Sequence, residues 1–401
     1  MRRSRKRSKE GSFEGPRYIP ASRYIIPGNE DIDTPSRDFC TSPAAFAEAT
    51  ERAVAQGAMI IKLVASKAIR EVRATKTSWE GDDVNALLIG ATGYVGSHVA
   101  KALRARGHIV TGSARSADNA RALRETDFSS AVVDFDDLPA LGALAGSFEI
   151  VVMASKMPFE REAVIMEAIV AGCTSGATQH LLLTTGTAML TIAARDGAWS
   201  QYSFAEDDRF PFARRHDLTV RAETETRVRR ASGGRLNTYV IRPPLIFGNG
   251  GSIQIPAIFD SVRKTGFACY VGHGLNLYSA VHVEDLARIY PLAIERGTPG
   301  ALYHAVCGEA NFRSIAEAVA AVAGCGTRSL TYEQACALWG EARVERSLAA
   351  NSRTIAKRTV EELGWRPTHL DVIEDIRSGS YREAYRLATG SDIGSSANAQ
   401  G

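Results

Sequence analysis

The chain has 401 residues, 45% hydrophobic and 23% charged, the balance of an ordinary globular protein with room for one large domain or two smaller ones. Much of its net charge of +3 comes from one run, Arg2-Arg3-Ser4-Arg5-Lys6-Arg7-Ser8-Lys9, so a basic body surface for nucleic acid is not supported. The six cysteines show neither Cys-x-x-Cys nor a Cys/His spacing suited to zinc, so they read as reduced thiols of a cytoplasmic protein with no metal site. No stretch approaches about 18 uninterrupted apolar residues, and the start lacks a secretory apolar segment, so no membrane association is expected.

Residues 1–43, rich in Arg, Ser, Pro, Gly and Asp, read as a disordered leader. The basic run reads as a solvated tail, with nuclear import as its other reading. Residues 44–80 read as a helical extension, in which Phe46, Ala49, Ala53, Met59, Ile60, Leu63, Val64 and Ile69 keep the spacing of an amphipathic helix.

From Val84 short apolar runs alternate with helical patterns. Strands are predicted over 86–89, 109–111, 131–133, 150–153, 180–183 and 238–241, and helices over 95–106 and 161–171. Non-alternating apolar strands separated by helices spell an α/β fold, a Rossmann-type doubly wound parallel sheet over 84–247. Residues 248–385 are more mixed, with helices near 253–264, 283–295 and 315–322, and read as a smaller C-terminal substrate cap, part of it returning to the core. Residues 386–401 read as a flexible tail.

The sharpest motif is Gly90-x-x-Gly93-x-x-Gly96, which follows a predicted strand and opens a predicted helix. Gly90 permits the tight turn, Gly93 lets backbone approach a pyrophosphate, and Gly96 lets helix and strand pack closely. The helix start offers free N–H groups to phosphate, so Gly90, Thr92, Gly93, Tyr94, Val95 and Gly96 are read as dinucleotide-binding. The second strand ends in Thr111-Gly112-Ser113-Ala114-Arg115, with no acid there. Arg115 can accept a ribose 2′-phosphate, which favours NADP, while the nearby Asp118 keeps NAD open.

With these residues in hand, the stretch from Val84 to about Tyr385 resembles the extended short-chain dehydrogenases/reductases of the NAD-dependent epimerase/dehydratase type. The resemblance rests on the glycine turn, Asp134-Phe135-Asp136-Asp137, Val151-Val152-Met153-Ala154-Ser155, Leu182-Leu183-Thr184-Thr185-Gly186, Arg242-Pro243-Pro244-Leu245-Ile246-Phe247-Gly248, Val281-His282-Val283-Glu284-Asp285-Leu286-Ala287 and Leu363-Gly364-Trp365-Arg366-Pro367. It implies Asp134 against an adenine, Ala154 and Ser155 along the cofactor channel, Thr185 in the place of the catalytic Ser/Thr, and Pro243 near the nicotinamide.

The resemblance also implies a Tyr-x-x-x-Lys pair before the arginine-proline strand. Here the equivalent positions hold Asp217 and Arg221. Arginine is a poor proton shuttle and aspartate is ordinarily ionised, so the phenol relay is missing. Thr185 and Arg221 remain as candidate catalytic residues. Tyr202 and Tyr278 read as packing tyrosines, His216 as part of a solvated basic loop, and His282 with Asp285 as a structural tie.

The expected function is an NADP-dependent oxidoreductase acting on a carbonyl or alcohol of a small organic molecule, with a homodimer compatible with the sequence. The alternatives are an NAD(P)-dependent epimerase/dehydratase and a non-catalytic NADP(H)-sensing regulator.

Overall fold

The computed structural model describes residues 24–27, 37–40, 84–115, 120, 121 and 128–389. The helix expected from residue 44, Asp118, and residues 390–401 lie outside these. Within the stretch read as a leader, β1 (Tyr24–Pro27) and β2 (Arg37–Cys40) pair in parallel; they form a unit of their own.

The rest is built on a sheet of seven parallel strands in the order β5-β4-β3-β6-β7-β9-β13. In chain order, β3 (Asn85–Ile89), α1 (Tyr94–Arg104), β4 (Ile109–Ala114) and β5 (Ser129–Val132) make the first half. Next come α2 (Leu138–Gly146), β6 (Ile150–Met153), α3 (Phe159–Ser175) and β7 (His180–Thr184). After the short β8 (Ile192–Ala193), α4 (His216–Arg230) leads into β9 (Asn237–Arg242). Strand order reverses between β3 and β6, and such a switch point opens the crevice that holds a ligand in doubly wound sheets.

Alternation explains why the central strands are apolar throughout. In β3, Ala86 and Leu88 pack into the core on one face of the sheet with Val99, Leu103 and Tyr290, whereas Leu87 and Ile89 pack into the core on the other with Leu141, Ile165 and Ile169. Successive side chains of a strand point to opposite faces, so a strand covered on both sides has no polar position to spare.

Beyond β9 the chain forms a second core on its own small sheets. β10 (Leu245–Phe247) precedes α5 (Gln254–Thr265), β11 (Phe267–Val271) and β12 (Leu277–His282). The helix expected over 283–295 is two, α6 (Val283–Ala287) and α7 (Ile289–Arg296). Pro291 lacks an N–H and its ring crowds the carbonyl four residues back, which ends α6 at Ala287. β13 (Ala301–His304) then returns to the central sheet beside β9.

β14 (Gly308–Asn311) joins β10 and β12, and β15 (Gly326–Leu330) after α8 (Phe312–Ala323) pairs with β11. β16 (Ala350–Asn351) closes onto β8. The last helix, α9 (Ser380–Thr389), runs into the stretch read as a tail.

α2 and α3 meet backbone to backbone. A Cβ on Gly172 would lie 1.9 Å from the Gly142 carbonyl oxygen, and one on Gly176 would lie 2.2 Å from that of Gly146. This contact sets where α3, and the functional residues at its start, sit over the sheet. Gly172→Ala is expected to destabilise the protein by about 1–3 kcal/mol in urea unfolding, because overpacking here cannot be relieved by a rotamer change.

Two histidines, His304 buried and His180 half-buried, contribute to acid sensitivity. Burial pushes His180 and His304 down to about 4, with Arg242 adding to the effect at His304. In the unfolded chain both titrate near about 6.5, so between that pH and about 4 the unfolded state binds more protons. Stability is therefore expected to fall as pH drops through this window, and His304→Gln should flatten the fall in thermal melts taken from pH 7 to pH 4.

Candidate active site

The crevice begins at the turn after β3. Gly90 has φ +96°, and a Cβ there would sit 2.9 Å from the backbone of Ala154 and Ser155, which continue β6. A Cβ on Gly96 would lie 2.0 Å from the Gly90 carbonyl oxygen. The turn closes through the Gly93 N–H on that same oxygen at 2.9 Å. α1 then starts without a side-chain cap or an acidic residue in its first turn, which leaves donors and a positive dipole end for an anion. Thr92 and Gly93 are exposed.

The structure thus brings Gly90, Thr92, Gly93, Gly96, Ala154 and Ser155 together as a cradle whose close backbone approaches a Cβ on Gly90 or Gly96 would block, which with the uncapped helix start fits a dinucleotide pyrophosphate. Tyr94 turns away. Its ring fills the space above Gly251, and its hydroxyl donates to the Gly248 carbonyl at 2.7 Å. Burial lifts its phenol far above the ordinary value. The loop it meets carries three successive left-handed residues, Gly248 (φ +102°), Asn249 (φ +51°) and Gly250 (φ +69°). Val95 packs into the sheet-facing core.

Arg115 is exposed immediately beyond β4. Asp134, also exposed, accepts the Asp136 N–H at 2.9 Å and so shapes the loop after β5.

At the next strand ends, Thr184 and Tyr290 share a hydroxyl–hydroxyl hydrogen bond of 2.7 Å. Thr185 donates its hydroxyl to Glu225 and its N–H to the Ile241 carbonyl at 2.9 Å. Arg242 grips the same Glu225 through Nε at 2.9 and 3.0 Å. Pro243 accepts the Thr187 N–H at 3.0 Å, holding the turn after β7 against the end of β9.

Asp217, Arg221 and Glu225 lie four residues apart on α4, hence on one face. Arg221 makes a bidentate pair with Glu162 of α3, at 3.1 and 3.2 Å, and reaches the Thr184 carbonyl at 3.4 Å. Its guanidinium stacks 4.4 Å from the centre of the Phe159 ring. Glu162 is 1% exposed; burial raises its carboxyl, and Arg221 pulls it back. Asp217 pairs with Arg346 and Arg215. Burial alone would raise Asp217, but these arginines outweigh it and hold the carboxyl below its usual range.

The positions of the missing Tyr and Lys are therefore occupied by ion pairs. Arg221 keeps NH1 near the end of β7, 3.9 Å from where a Gly186 Cβ would stand. His216, read as a loop residue, is the exposed first residue of α4. Tyr278 is buried, its phenol pushed up to about 12 by burial, whereas Tyr202 is 47% exposed. His282 caps α6 through the Glu284 N–H, and Asp285 accepts from Thr368 and His369.

The family model described as NAD(P)H-binding matches residues 90–246. An uncharacterized Schizosaccharomyces pombe protein, C2A9.02, is 28% identical over 305 residues, covering 73% of this chain and 98% of that protein. A Stigmatella aurantiaca protein, 4-hydroxy-2-methyl-3-oxo-4-farnesyl-3,4-dihydroquinoline-1-oxide ketoreductase, is 27% identical over 232 residues, covering 53% of this chain and 65% of that one. The human epimerase family protein SDR39U1, solved with NADPH, superposes with a TM-score of 0.58 at 18% identity, over 74% of this chain and 99% of its own. Residues 90–246 and the strands beyond them thus share the fold of the extended short-chain dehydrogenases/reductases. No described helix is long and apolar enough to cross a membrane.

Glu162 and Glu225 had no part in the sequence motifs. Glu225 was within reach of reasoning, since it stands four residues after Arg221. Glu162 lies 59 residues from its partner and carries no local signal. Glu162→Gln should destabilise the protein by about 3 kcal/mol in chemical unfolding, because it strands a largely buried guanidinium. Glu162→Met combined with Arg221→Met should recover most of that loss.

Proposed function

We propose that the protein is an NADP-dependent oxidoreductase acting on a carbonyl or alcohol of a small organic molecule, without a phenol–lysine relay. The observation that carries this reading is the cradle of Gly90, Gly93, Gly96, Ala154 and Ser155 at the switch point of the sheet, with an uncapped helix behind it. When bound, the nicotinamide cofactor gives or takes a hydride. Arg115, exposed at the end of β4, favours a 2′-phosphate. The ketoreductase name of the Stigmatella aurantiaca relative favours reduction of a ketone over epimerisation.

The chain's own residues then have distinct tasks. Thr185, with its proton committed to Glu225, offers an oxygen lone pair that accepts a hydrogen bond from a substrate hydroxyl. Glu225, gripped by Arg242, fixes the orientation of Thr185. Arg221 presents NH1 to the ribose or the substrate. Asp217, tied up by Arg346 and Arg215, does not serve as the acid, so the proton comes from water. The same ion pairs favour a second reading, in which the domain binds NADP(H) as a sensor and does not turn over.

Titration of the purified protein with NADPH and NADH, followed by cofactor fluorescence, should show tighter binding of NADPH. Arg115→Asp should weaken NADPH by about tenfold or more while changing NADH far less, the scale of a lost charge-assisted hydrogen bond; equal losses would remove the case for NADP. NADPH oxidation across a panel of ketones and aldehydes supports the enzyme. Binding with no oxidation across the panel supports the sensor.

A further inference from the structure

Five arginines crowd the region between the end of β7 and α4, and four of them have carboxylate partners. Arg221 has Glu162, Arg242 has Glu225, Arg346 has Asp217, and Arg215 has both Asp217 and Glu345. Arg214 is the exception among the described residues. Its Nε donates to the Met189 carbonyl at 3.1 Å, and its guanidinium lies 4.8 Å from the centre of the Phe210 ring. These two contacts fix the plane of the group and leave its terminal nitrogens without a described partner. The residue is exposed at the surface, yet partial burial of its side chain, then the neighbouring charge of Arg242, lowers its basicity against the opposing pull of Glu225. A partly desolvated guanidinium in a positive neighbourhood is stabilised by an anion, and its fork matches a carboxylate.

Met189 belongs to the turn Thr187–Leu190, which continues directly from Thr185 and Gly186. From Phe210 an aromatic path leads away from Arg214. Phe210 meets Phe212 at 5.5 Å, and Phe212 meets Tyr202 at 5.0 Å, both edge to face. Ile192 packs on the same cluster, beside Leu190 and Phe204. Phe210 is buried, but Tyr202, at the far end of this row of contacts, lines a concavity of about 490 Å³ together with Ile192, Trp199, Asp196 and Asn351, within the usual size of small-molecule sites. Trp199 is 59% and Tyr202 47% exposed, an apolar surface of the kind that marks a binding groove. Asp196 places a negative charge at this far end.

We infer that the substrate is an amphiphilic carboxylate, its acid group on Arg214 and its apolar tail over Phe212 and Tyr202 into the basin beside Trp199. The two ends differ in charge, so the orientation is unique: Arg214 attracts the acid and Asp196 repels it. The inference rests on the oxidoreductase reading for the identity of the site, but not for the binding chemistry.

Decanoate, an unreactive probe, tests it by calorimetry and tryptophan emission on the full chain with saturating NADP. Decanoate should bind, and methyl decanoate should bind at least tenfold more weakly. Arg214→Gln should weaken decanoate at least tenfold and erase its advantage over the ester, with Arg214→Lys falling between. Trp339 and Trp365 are buried and Trp79 lies outside the described residues, so in a Trp79→Phe background the emission change should vanish in Trp199→Phe while calorimetric binding persists.

Equal affinity for acid and ester in the wild-type chain would overturn the inference, and needs no variant to fold. So would decanoate affinity unchanged in a folded Arg214→Gln, or an emission change retained in Trp199→Phe in the Trp79→Phe background. NADP binding is read separately. Its absence would sink the oxidoreductase reading alone, whereas NADP binding without decanoate binding would sink this inference alone.

Discussion

The crevice depends on one steric constraint, the approach of α1 to the carbonyl of Gly90. A single added carbon at Gly96 would stand 2.0 Å from that oxygen, well inside any tolerable contact. Because the helix can come this close, its free N–H groups face the gap between β3 and β6, and the backbone of Ala154 and Ser155 forms the opposite wall. Donors fixed in advance by backbone geometry bind an anion without the cost of ordering side chains. The remaining candidate residues are arranged around that gap by the ends of β7 and β9.

The polar arrangement over those strand ends is built from charge pairs. Two carboxylates, Glu162 and Glu225, are almost wholly buried, and each is held by one arginine. Taking such ions out of water costs several kcal/mol apiece, and the attraction of a close bidentate partner roughly offsets it. The pairs therefore add little net stability. Their effect is to keep Thr185, Arg221 and the start of α4 in one geometry, since any displacement exposes an uncompensated charge to a poorly solvating interior.

The layers of the fold were legible because they are local. The runs at 86–89, 150–153 and 181–183 are apolar at every position, and the glycine spacing names its own turn. Helix α4 was harder to see: Asp217 and Arg221 were read against a Tyr-x-x-x-Lys template, which hid the plainer fact that, with Glu225, they recur every four residues. The partners of these groups were not legible at all. Glu162 and Arg346 come from distant elements, and nothing in their neighbours marks them. The break between α6 and α7 was available in Pro291 and lost to the apolar pattern around it.

Tyr94 belongs to two structures at once. Its backbone is the first residue of the phosphate-facing helix, while its ring and hydroxyl hold the left-handed loop at Gly248–Gly251. The dinucleotide turn and the edge of the second core are thereby mechanically joined through one rigid side chain. Whatever free energy an occupied turn lends to the order of that loop, an ordered loop must return to the affinity of the turn, because coupling between two equilibria is reciprocal. Cofactor affinity in this protein is thus also a measure of how firmly the second core is seated.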